Sequence, residues 1–302
     1  MTAPISSFAD REKQSAALTS LVAAVGLTAF KATVGLLTGS LGILAEAAHS
    51  GLDLVAAGLT FVAVRVSSRP PDHTHLYGHG KVENLSALAE TLLLLVTCAW
   101  VVWEACRRLA AHRIGVQVNG WSFAVMLVSI VVDISRSHVL SRAARRYNSQ
   151  ALEADALHFE TDVWSSAVVV FGLIAVKVAQ RLPGAAWLRY GDAVAALGVS
   201  ALVVWVSVRL GRRTVDALMD HAPLGMEERV AAVVGAVPGV LDCHNLRIRS
   251  SGARLFIDLH ILVDGQQSLA QAHQLTDIVE AAIQAIAPSA DVTVHAEPLE
   301  PV

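Results

Sequence analysis

Two pairs of histidine and aspartate lie inside long apolar stretches of the chain, where ionisable side chains are rare. The first pair is His49 and Asp53, and the second pair is His158 and Asp162. In each pair the aspartate follows the histidine at the i+4 position, which places both side chains on one face of a helix. Two such faces opposed would supply two imidazole nitrogens and two carboxylate oxygens, a ligand set that suits the tetrahedral coordination of zinc.

An ionisable residue within a membrane span needs a physical reason, because a charge at the bilayer centre costs at least about 2.5–3.5 kcal/mol. One reason is a hydrogen bond between neighbouring helices. A single histidine–aspartate pair would support this interpretation as well as it supports a metal site. Two copies on separate spans, with no Lys or Arg beside either pair in the sequence, favour metal. Asp133 and Arg136 are expected to neutralise each other, whereas the roles of Glu46 and Glu90 do not follow from the sequence.

The elements that carry these residues follow from the composition. The 302 residues are 54% hydrophobic and 16% charged, whereas an average soluble domain carries about 25% charged residues. Charge is scarce before residue 210 and returns after it. Since a span takes about 20 helical residues, six apolar blocks are predicted to cross a membrane, near 16–38, 41–66, 84–106, 118–141, 156–180 and 186–209. We expect an N-terminal segment 1–15, a six-helix transmembrane domain 16–210 and a soluble domain 211–302.

The distribution of basic residues predicts an orientation. More of the Lys and Arg residues near the span ends lie on the side of the two termini than on the other side. Because basic residues are enriched in cytoplasmic loops, this predicts that the N- and C-termini are in the cytoplasm. A net charge of −3 gives no indication of nucleic-acid binding, which would require a basic face.

The soluble part is predicted to be a small α+β domain with the element order αββαβ. Period-two alternation indicates strands, and a serine followed by glutamine at i+3 indicates the start of a helix. The predicted elements are a helix over 226–237, strands over 240–249 and 254–263, a helix capped by Ser268 that runs to Ala287, and a strand over 291–295.

Two further groups of metal-binding residue types lie outside the apolar blocks. Asp72, His75 and His79 occur close together in the loop between the second and third spans, with His73 beside them. A solvated polar loop or a weak regulatory metal site is the alternative. The soluble domain carries four histidines, His244, His260, His273 and His295. They would converge if the strand alternation puts them on one face, and otherwise they are separate surface histidines.

Three segments of the chain resemble the cation diffusion facilitator family, and the resemblance extends over nearly the whole chain. The segments are 44–54 (LAEAAHSGLDL), 77–83 (YGHGKVE) and 154–163 (ADALHFETDV). The resemblance implies transport of a divalent metal through a site between the second and fifth helices, which matches His49, Asp53, His158 and Asp162. It also implies a loop metal site at Asp72, His75 and His79.

The resemblance further implies a homodimer whose cytoplasmic tail has a metallochaperone-like fold. A binuclear metal site in that tail matches His244, His260, His273 and His295, and Glu297 stands where the family usually has an aspartate ligand. A charge interlock between the loop and the segment after the sixth span matches Lys81 and Asp220. The absence of a His-rich stretch between the fourth and fifth spans favours a bacterial inner-membrane exporter.

The expected function is efflux of zinc in exchange for protons, with no enzymatic activity. Metal and protons compete for the same imidazoles and carboxylates, so alternating access yields antiport. Iron, cobalt, manganese or cadmium as the main substrate is the alternative within the family. A membrane-anchored metal sensor would not need ligands within the membrane. An intramembrane metalloprotease would need a motif such as His-Glu-x-x-His, which the sequence lacks.

Overall fold

The computed structural model describes residues 5–111, 120–179 and 191–299. The chain forms two compact units. The first unit comprises Met1–Arg69 and Val82–Thr214, and the second comprises Pro70–Lys81 and Val215–Val302. The loop that carries Asp72, His75 and His79 therefore belongs to the second unit, together with the C-terminal part of the chain.

Long helices make up the described part of the first unit. Helices α1 to α4 each contain a segment that is long and apolar enough to cross a membrane, whereas α5 and α6 do not meet this criterion within the described residues, so six spans stay a prediction. The predicted connections around Arg113 and around Pro183 lie outside the described residues. The helices are α1 (Ile5–Thr38), α2 (Leu41–Ser67), α3 (Lys81–Ala111), α4 (Gly120–Tyr147), α5 (Gln150–Ala179) and α6 (Gly191–Leu218).

The two helices that carry the histidine–aspartate pairs, α2 and α5, begin in the same way. Each follows a residue with positive φ, Gly39 (63°) before α2 and Asn148 (48°) before α5. Each then starts at a serine whose hydroxyl accepts a backbone N–H bond, Ser40 from Ile43 and Ser149 from Leu152, both at 3.4 Å. The left-handed residue ends one helix and the serine caps the next. These short connections hold α2 beside α1 and α5 beside α4.

Packing within the first unit brings α2 and α5 together. Helix α1 packs along α2 and α4, α4 packs along α5, and α2 contacts α5. Leu140 of α4 and Leu152 and Phe159 of α5 are fully buried in one apolar cluster. Glu83 of α3, also buried, accepts hydrogen bonds from Lys13 of α1 and Ser67 of α2, each at 2.8 Å, and from Ser149.

The second unit has the predicted αββαβ order. Its elements are α7 (Met226–Gly235), β1 (Asp242–Ser251), β2 (Arg254–Asp264), α8 (Leu269–Ile286) and β3 (Asp291–Leu299). The sheet order is β1-β2-β3, with β1 antiparallel and β3 parallel to β2. Helix α8 begins with a capping box between Ser268 and Gln271, as the sequence indicated. Strand β3 continues to Leu299, beyond its predicted end at His295.

One face of this sheet is apolar and the other is polar. On β2, Ile257, Leu259 and Ile261 are buried in the core that α7 and α8 complete, whereas Asp258 is exposed and His260 is half-buried. Side chains alternate between the two faces of a strand. The histidine of β2 therefore lies on the face opposite to the helices.

A β-bulge decides on which face His244 lies. Asn245 has a φ of 51°, and the register shifts between His244, which pairs with His260, and Arg247, which pairs with Asp258. Strict alternation from the buried Ile248 would place His244 in the core, because the two positions differ by an even number. The extra residue of the bulge reverses the alternation. It thereby moves His244 to the polar face, opposite His260.

We predict that Asn245→Val destabilises the bulge and that Asn245→Gly does not. A β-branched residue in the left-handed region costs about 1–2 kcal/mol, whereas glycine adopts this conformation freely. The measurement is amide hydrogen exchange of β1 and β2 in the full-length protein. The valine variant should exchange roughly tenfold faster, since about 1.4 kcal/mol corresponds to a factor of ten. Equal exchange rates in the two variants would show that the conformation of Asn245 does not hold the register.

Candidate metal centres

The first candidate centre, between α2 and α5, unites the two histidine–aspartate pairs. Nε2 of His158 lies 3.2 Å from Oδ1 of Asp53 and 3.7 Å from Oδ2 of Asp162. Nε2 of His49 lies 4.0 Å from Oδ1 of Asp53. Ligand atoms of His49, Asp53 and Asp162 lie within 4.8 Å of one another. One ion can therefore be shared among side chains of both helices.

This centre is enclosed on the side of α5 and accessible on the side of His49. The His158 side chain is 3% exposed, whereas that of His49 is 44% exposed. Nδ1 of His158 is buried and has no hydrogen-bond partner among the described residues. The other nitrogen, Nε2, faces both aspartates and is therefore the atom placed to bind a metal or hold a proton.

The first unit also buries polar residues whose partners were not evident from the sequence. Lys31 of α1 donates from Nζ to Ser50 Oγ at 2.7 Å and lies 3.4 Å from Glu46 Oε2. Glu90 of α3 is buried and accepts a hydrogen bond from Thr60 of α2. The lysine therefore brings a positive charge to α2, in the turn that carries the first histidine–aspartate pair.

A second cation, Arg136 of α4, lies beside the other pair. Nη1 of Arg136 lies 3.4 Å from Oδ1 of Asp133, so the expected pairing of these two residues is confirmed. The guanidinium carbon also lies 3.4 Å from the ring centroid of Phe159, which follows His158 in α5. No cation lies beside either pair in the sequence, but packing of α1 and α4 brings Lys31 and Arg136 close to them.

The second candidate centre is the loop site of Asp72, His75 and His79. Oδ2 of Asp72 lies 3.3 Å from Nε2 of His79, and Oδ1 lies 3.3 Å from Nδ1 of His75. Hydrogen bonds from the backbone N–H of His75 and from the Thr74 hydroxyl hold the pKa of Asp72 well below its usual range. The carboxylate is therefore ionised, as a metal ligand must be. His73 is not part of the group whose ligand atoms converge.

Contacts with the sheet hold this loop in the second unit. The ring of Tyr77 packs edge-on against Phe256 at 5.2 Å, and the guanidinium of Arg249 lies 3.9 Å from the Tyr77 ring centroid. Gly80 approaches the turn between β1 and β2 so closely that a Cβ at this position would lie 2.3 Å from the carbonyl oxygen of Ser251. Glycine is thus required at Gly80, which sequence analysis did not detect.

The third candidate centre is on the polar face of the sheet and is built around Glu297. Oε1 of Glu297 lies 2.8 Å from Nδ1 of His260, and Oε2 lies 3.1 Å from Nε2 of His244. Nε2 of His295 lies 3.7 Å from the same carboxylate. The hydrogen bond with His260 lowers the pKa of Glu297. Glu297 stands where the family usually has an aspartate ligand. In the structure its carboxylate lies at the centre of this group of histidines.

His273 is not brought into this group. It is exposed on α8, and its Nδ1 lies 3.4 Å from the hydroxyl of Thr276 on the same helix. On the sheet, ligand atoms of His244, His260 and Glu297 converge, and the ring of His295 lies 4.8 Å from that of His260. Strand pairing explains this arrangement, because His260 pairs with His244 on one side and with His295 on the other.

The two residues of the predicted charge interlock form an ion pair in the second unit. Nζ of Lys81 lies 2.7 Å from Oδ1 of Asp220 and donates to the backbone carbonyl of Leu218 at 3.3 Å. Asp220 has a φ of 62°, a conformation that aspartate and asparagine tolerate better than most residues. Lys81 therefore binds both a carboxylate and the carbonyl end of α6.

Comparisons with known proteins identify relatives over most of the chain. The Cation-efflux pump FieF of Klebsiella pneumoniae subsp. pneumoniae is 34% identical over 263 residues, which cover 86% of this chain and 84% of that protein. Metal tolerance protein C1 of Arabidopsis thaliana is 32% identical over 294 residues, covering 92% of this chain and 61% of that protein. Among solved structures, a nickel form of a MamM C-terminal domain variant shares 29% identity, covers 25% of this chain and 96% of its own, and has a TM-score of 0.24.

Family models match both units of the structure. The model described as the cation efflux transmembrane domain matches residues 17–219. The model described as the cation efflux protein cytoplasmic domain matches residues 224–299. Because the first match alone spans most of the chain, and a relative is aligned over most of its length, the chain belongs to the cation diffusion facilitator family of metal transporters.

Proposed function

We propose that this cation efflux protein exports zinc across the inner membrane in exchange for protons, through the site formed by His49, Asp53, His158 and Asp162. The observation that carries the proposal is the convergence of ligand atoms from α2 and α5. His158 Nε2 lies within 3.7 Å of both carboxylates, and His49 reaches the same group from the accessible side.

The donor set supports zinc as the substrate. Two imidazoles and two carboxylates can complete a four-coordinate shell, and zinc binds nitrogen and oxygen ligands in this geometry. Carboxylate and water ligands alone would suit harder ions such as magnesium or manganese. The two histidines are therefore the residues that we expect to select the ion.

Proton exchange follows from the chemistry of the same residues. A metal ion requires neutral imidazole and ionised carboxylate, so every proton on these groups competes with the ion. A site that opens alternately to the two sides of the membrane would release zinc where protons are abundant and bind it where they are scarce. The proton gradient would then drive export.

The loop site and the sheet site are proposed to hold resident zinc that is not transported. Their imidazoles and carboxylates form two compact groups within the second unit, and their exposure fits binding from the cytoplasm. In a homodimer His273 would have a role. It is exposed and does not reach the histidine cluster of its own chain, so it is available to the cluster of the second copy. This arrangement implies that metal binding tightens the dimer of C-terminal domains.

The proposed topology has six spans with both termini in the cytoplasm. The four helices with spanning character support it, as does the match of the transmembrane family model over residues 17–219. Helices α5 and α6 contain ionisable residues, and a transport site explains His158 and Asp162 of α5.

Removing one ligand of the transport site should abolish zinc transport while leaving the protein folded and dimeric. Asp53→Ala and Asp162→Ala should each transport zinc at least about tenfold more slowly than the parent, since even the loss of an outer-shell partner typically costs that much. Zinc flux into proteoliposomes under an imposed pH gradient is the measurement. Glu160→Ala is the matched control, because Glu160 is an exposed carboxylate on the same helix. Transport at the parent rate in both aspartate variants would refute the site.

His49→Asp should broaden selectivity toward cadmium and harder ions. The substitution replaces a nitrogen ligand that suits zinc by a carboxylate, and ligand type is one of the means by which sites select among divalent ions. The quantity to compare is the ratio of cadmium to zinc transport rates in variant and parent. A rise in this ratio is expected. An unchanged ratio would place ion selection elsewhere in the protein.

Lys81 and Asp220 should act as one unit that keeps the two protomers in register. Their side chains are 37% and 43% exposed, so the ion pair contributes at most about 1 kcal/mol to stability and a purely stabilising role would be weak. Lys81→Met and Asp220→Asn remove the charges, and asparagine preserves the left-handed backbone. Each single variant should reduce zinc transport, and the double variant should be no worse than the more impaired single. Effects that multiply in the double variant would show that the two residues act separately.

A further inference from the structure

Arg136 is a buried arginine whose hydrogen-bonding capacity is only partly used. Its side chain is 4% exposed. Nε donates to Ser20 Oγ of α1 at 3.2 Å, and Nη1 lies 3.4 Å from Asp133 Oδ1, whereas Nη2 is buried and has no hydrogen-bond partner among the described residues. An arginine that serves to tie helices normally binds a carboxylate with both arms of its fork. The contacts of Arg136 are fewer and longer than this.

The position of Arg136 connects it to the candidate transport site. Its guanidinium stacks on Phe159, which contacts the His158 ring at 5.4 Å between centroids. Through Ser20 it also reaches Asp155, whose Oδ2 accepts the serine hydroxyl at 3.4 Å. The guanidinium therefore lies against the turn of α5 that carries His158, a ligand of the proposed site.

Lys31 offers a useful contrast within the same unit. Its ammonium group is bound to Ser50 at 2.7 Å and has Glu46 as an ion-pair partner. Arg136 likewise has one ion pair at 3.4 Å and one hydrogen bond to a serine, but its Nη2 is buried and has no hydrogen-bond partner among the described residues. Since charges interact strongly in surroundings of low dielectric constant, an incompletely paired cation acts on the site beside it.

We propose that Arg136 is the fixed counter-charge of the transport site and sets how tightly that site holds a divalent ion. Its positive charge offsets part of the carboxylate charge that attracts the metal. It also repels the bound ion, and both effects favour release. This inference rests on the proposed transport site at His49, Asp53, His158 and Asp162, and it adds a residue that is not a ligand but controls affinity.

The sign of the effect separates this role from a purely structural one. Arg136→Met should strengthen zinc binding, so that the KM for zinc transport falls at least about tenfold, equivalent to about 1.4 kcal/mol. The maximal rate should fall as well, because release of a more tightly held ion is slower. An arginine that only holds helices in place would, when removed, disorder the ligands and raise KM.

Three further variants complete the test in proteoliposomes. Arg136→Lys preserves the charge without the guanidinium geometry and should keep a KM near that of the parent. Arg136→Met combined with Asp133→Asn removes one charge of each sign, so its KM should return toward the parent value. Arg142→Met removes an exposed arginine from the same helix and should change nothing.

Each result has a defined consequence. A raised or unchanged KM in Arg136→Met, or a lysine variant that behaves like the methionine variant, would overturn the proposal. If Arg136→Met does not accumulate as folded dimer, Arg136→Lys and the double variant test the proposal. A KM for zinc that differs from the parent value in both of these variants would overturn the proposal. Transport at the parent rate by both Asp53→Ala and Asp162→Ala would instead refute the site itself. An inactive Asp162→Ala with no fall of KM in Arg136→Met would refute only the role of Arg136.

Discussion

Charge in surroundings of low dielectric constant must be compensated by groups a few ångströms away, and this requirement organises the first unit. Lys13 of α1 and Glu83 of α3 are both buried and meet at 2.8 Å. Asp53 of α2 meets His158 of α5 at 3.2 Å. Because the partners are on different helices, compensation also fixes which helices contact one another. The polar residues of this unit are thus part of its architecture as well as of its chemistry.

The proposed transport site is where this compensation is left incomplete. Ligand atoms of His49, Asp53 and Asp162 converge there, His158 Nε2 lies within 3.7 Å of both carboxylates, and the nearby Arg136 is only partly paired. A group of this kind is balanced by a divalent ion or by protons, and neither is a permanent part of the chain. Unpaired charge is costly in surroundings of low dielectric constant, so the occupancy of this site responds both to the divalent ion and to protons. The proposed exchange of metal for protons requires this property.

Much of the site could be predicted from local spacing, because residues four apart in a helix share a face. His49 with Asp53, His158 with Asp162, and the loop group of Asp72, His75 and His79 are of this local kind. Residues that depend on packing between distant segments could not be predicted. Arg136 and Lys31 approach the pairs only through contacts of α4 and α1, and the loop joins the second unit through Tyr77 and Gly80. The bulge at Asn245 reverses strand alternation, so a strict period-two pattern would have put His244 in the core.

The three candidate centres differ in exposure, and this difference bears on their proposed roles. His158 is almost fully buried, whereas the side chains of His295 and His75 are 64% and 58% exposed. Ligands open to water bind and lose an ion without any movement of the fold, so such sites follow the metal concentration around them. The proposed transport site is open to solvent only on the side of His49, so in the proposed mechanism release to the other side requires movement of α2 and α5. Occupancy of the exposed centres would then report the metal concentration in the cytoplasm. The bulge and the loop contacts that assemble the exposed centres lie wholly within the second unit.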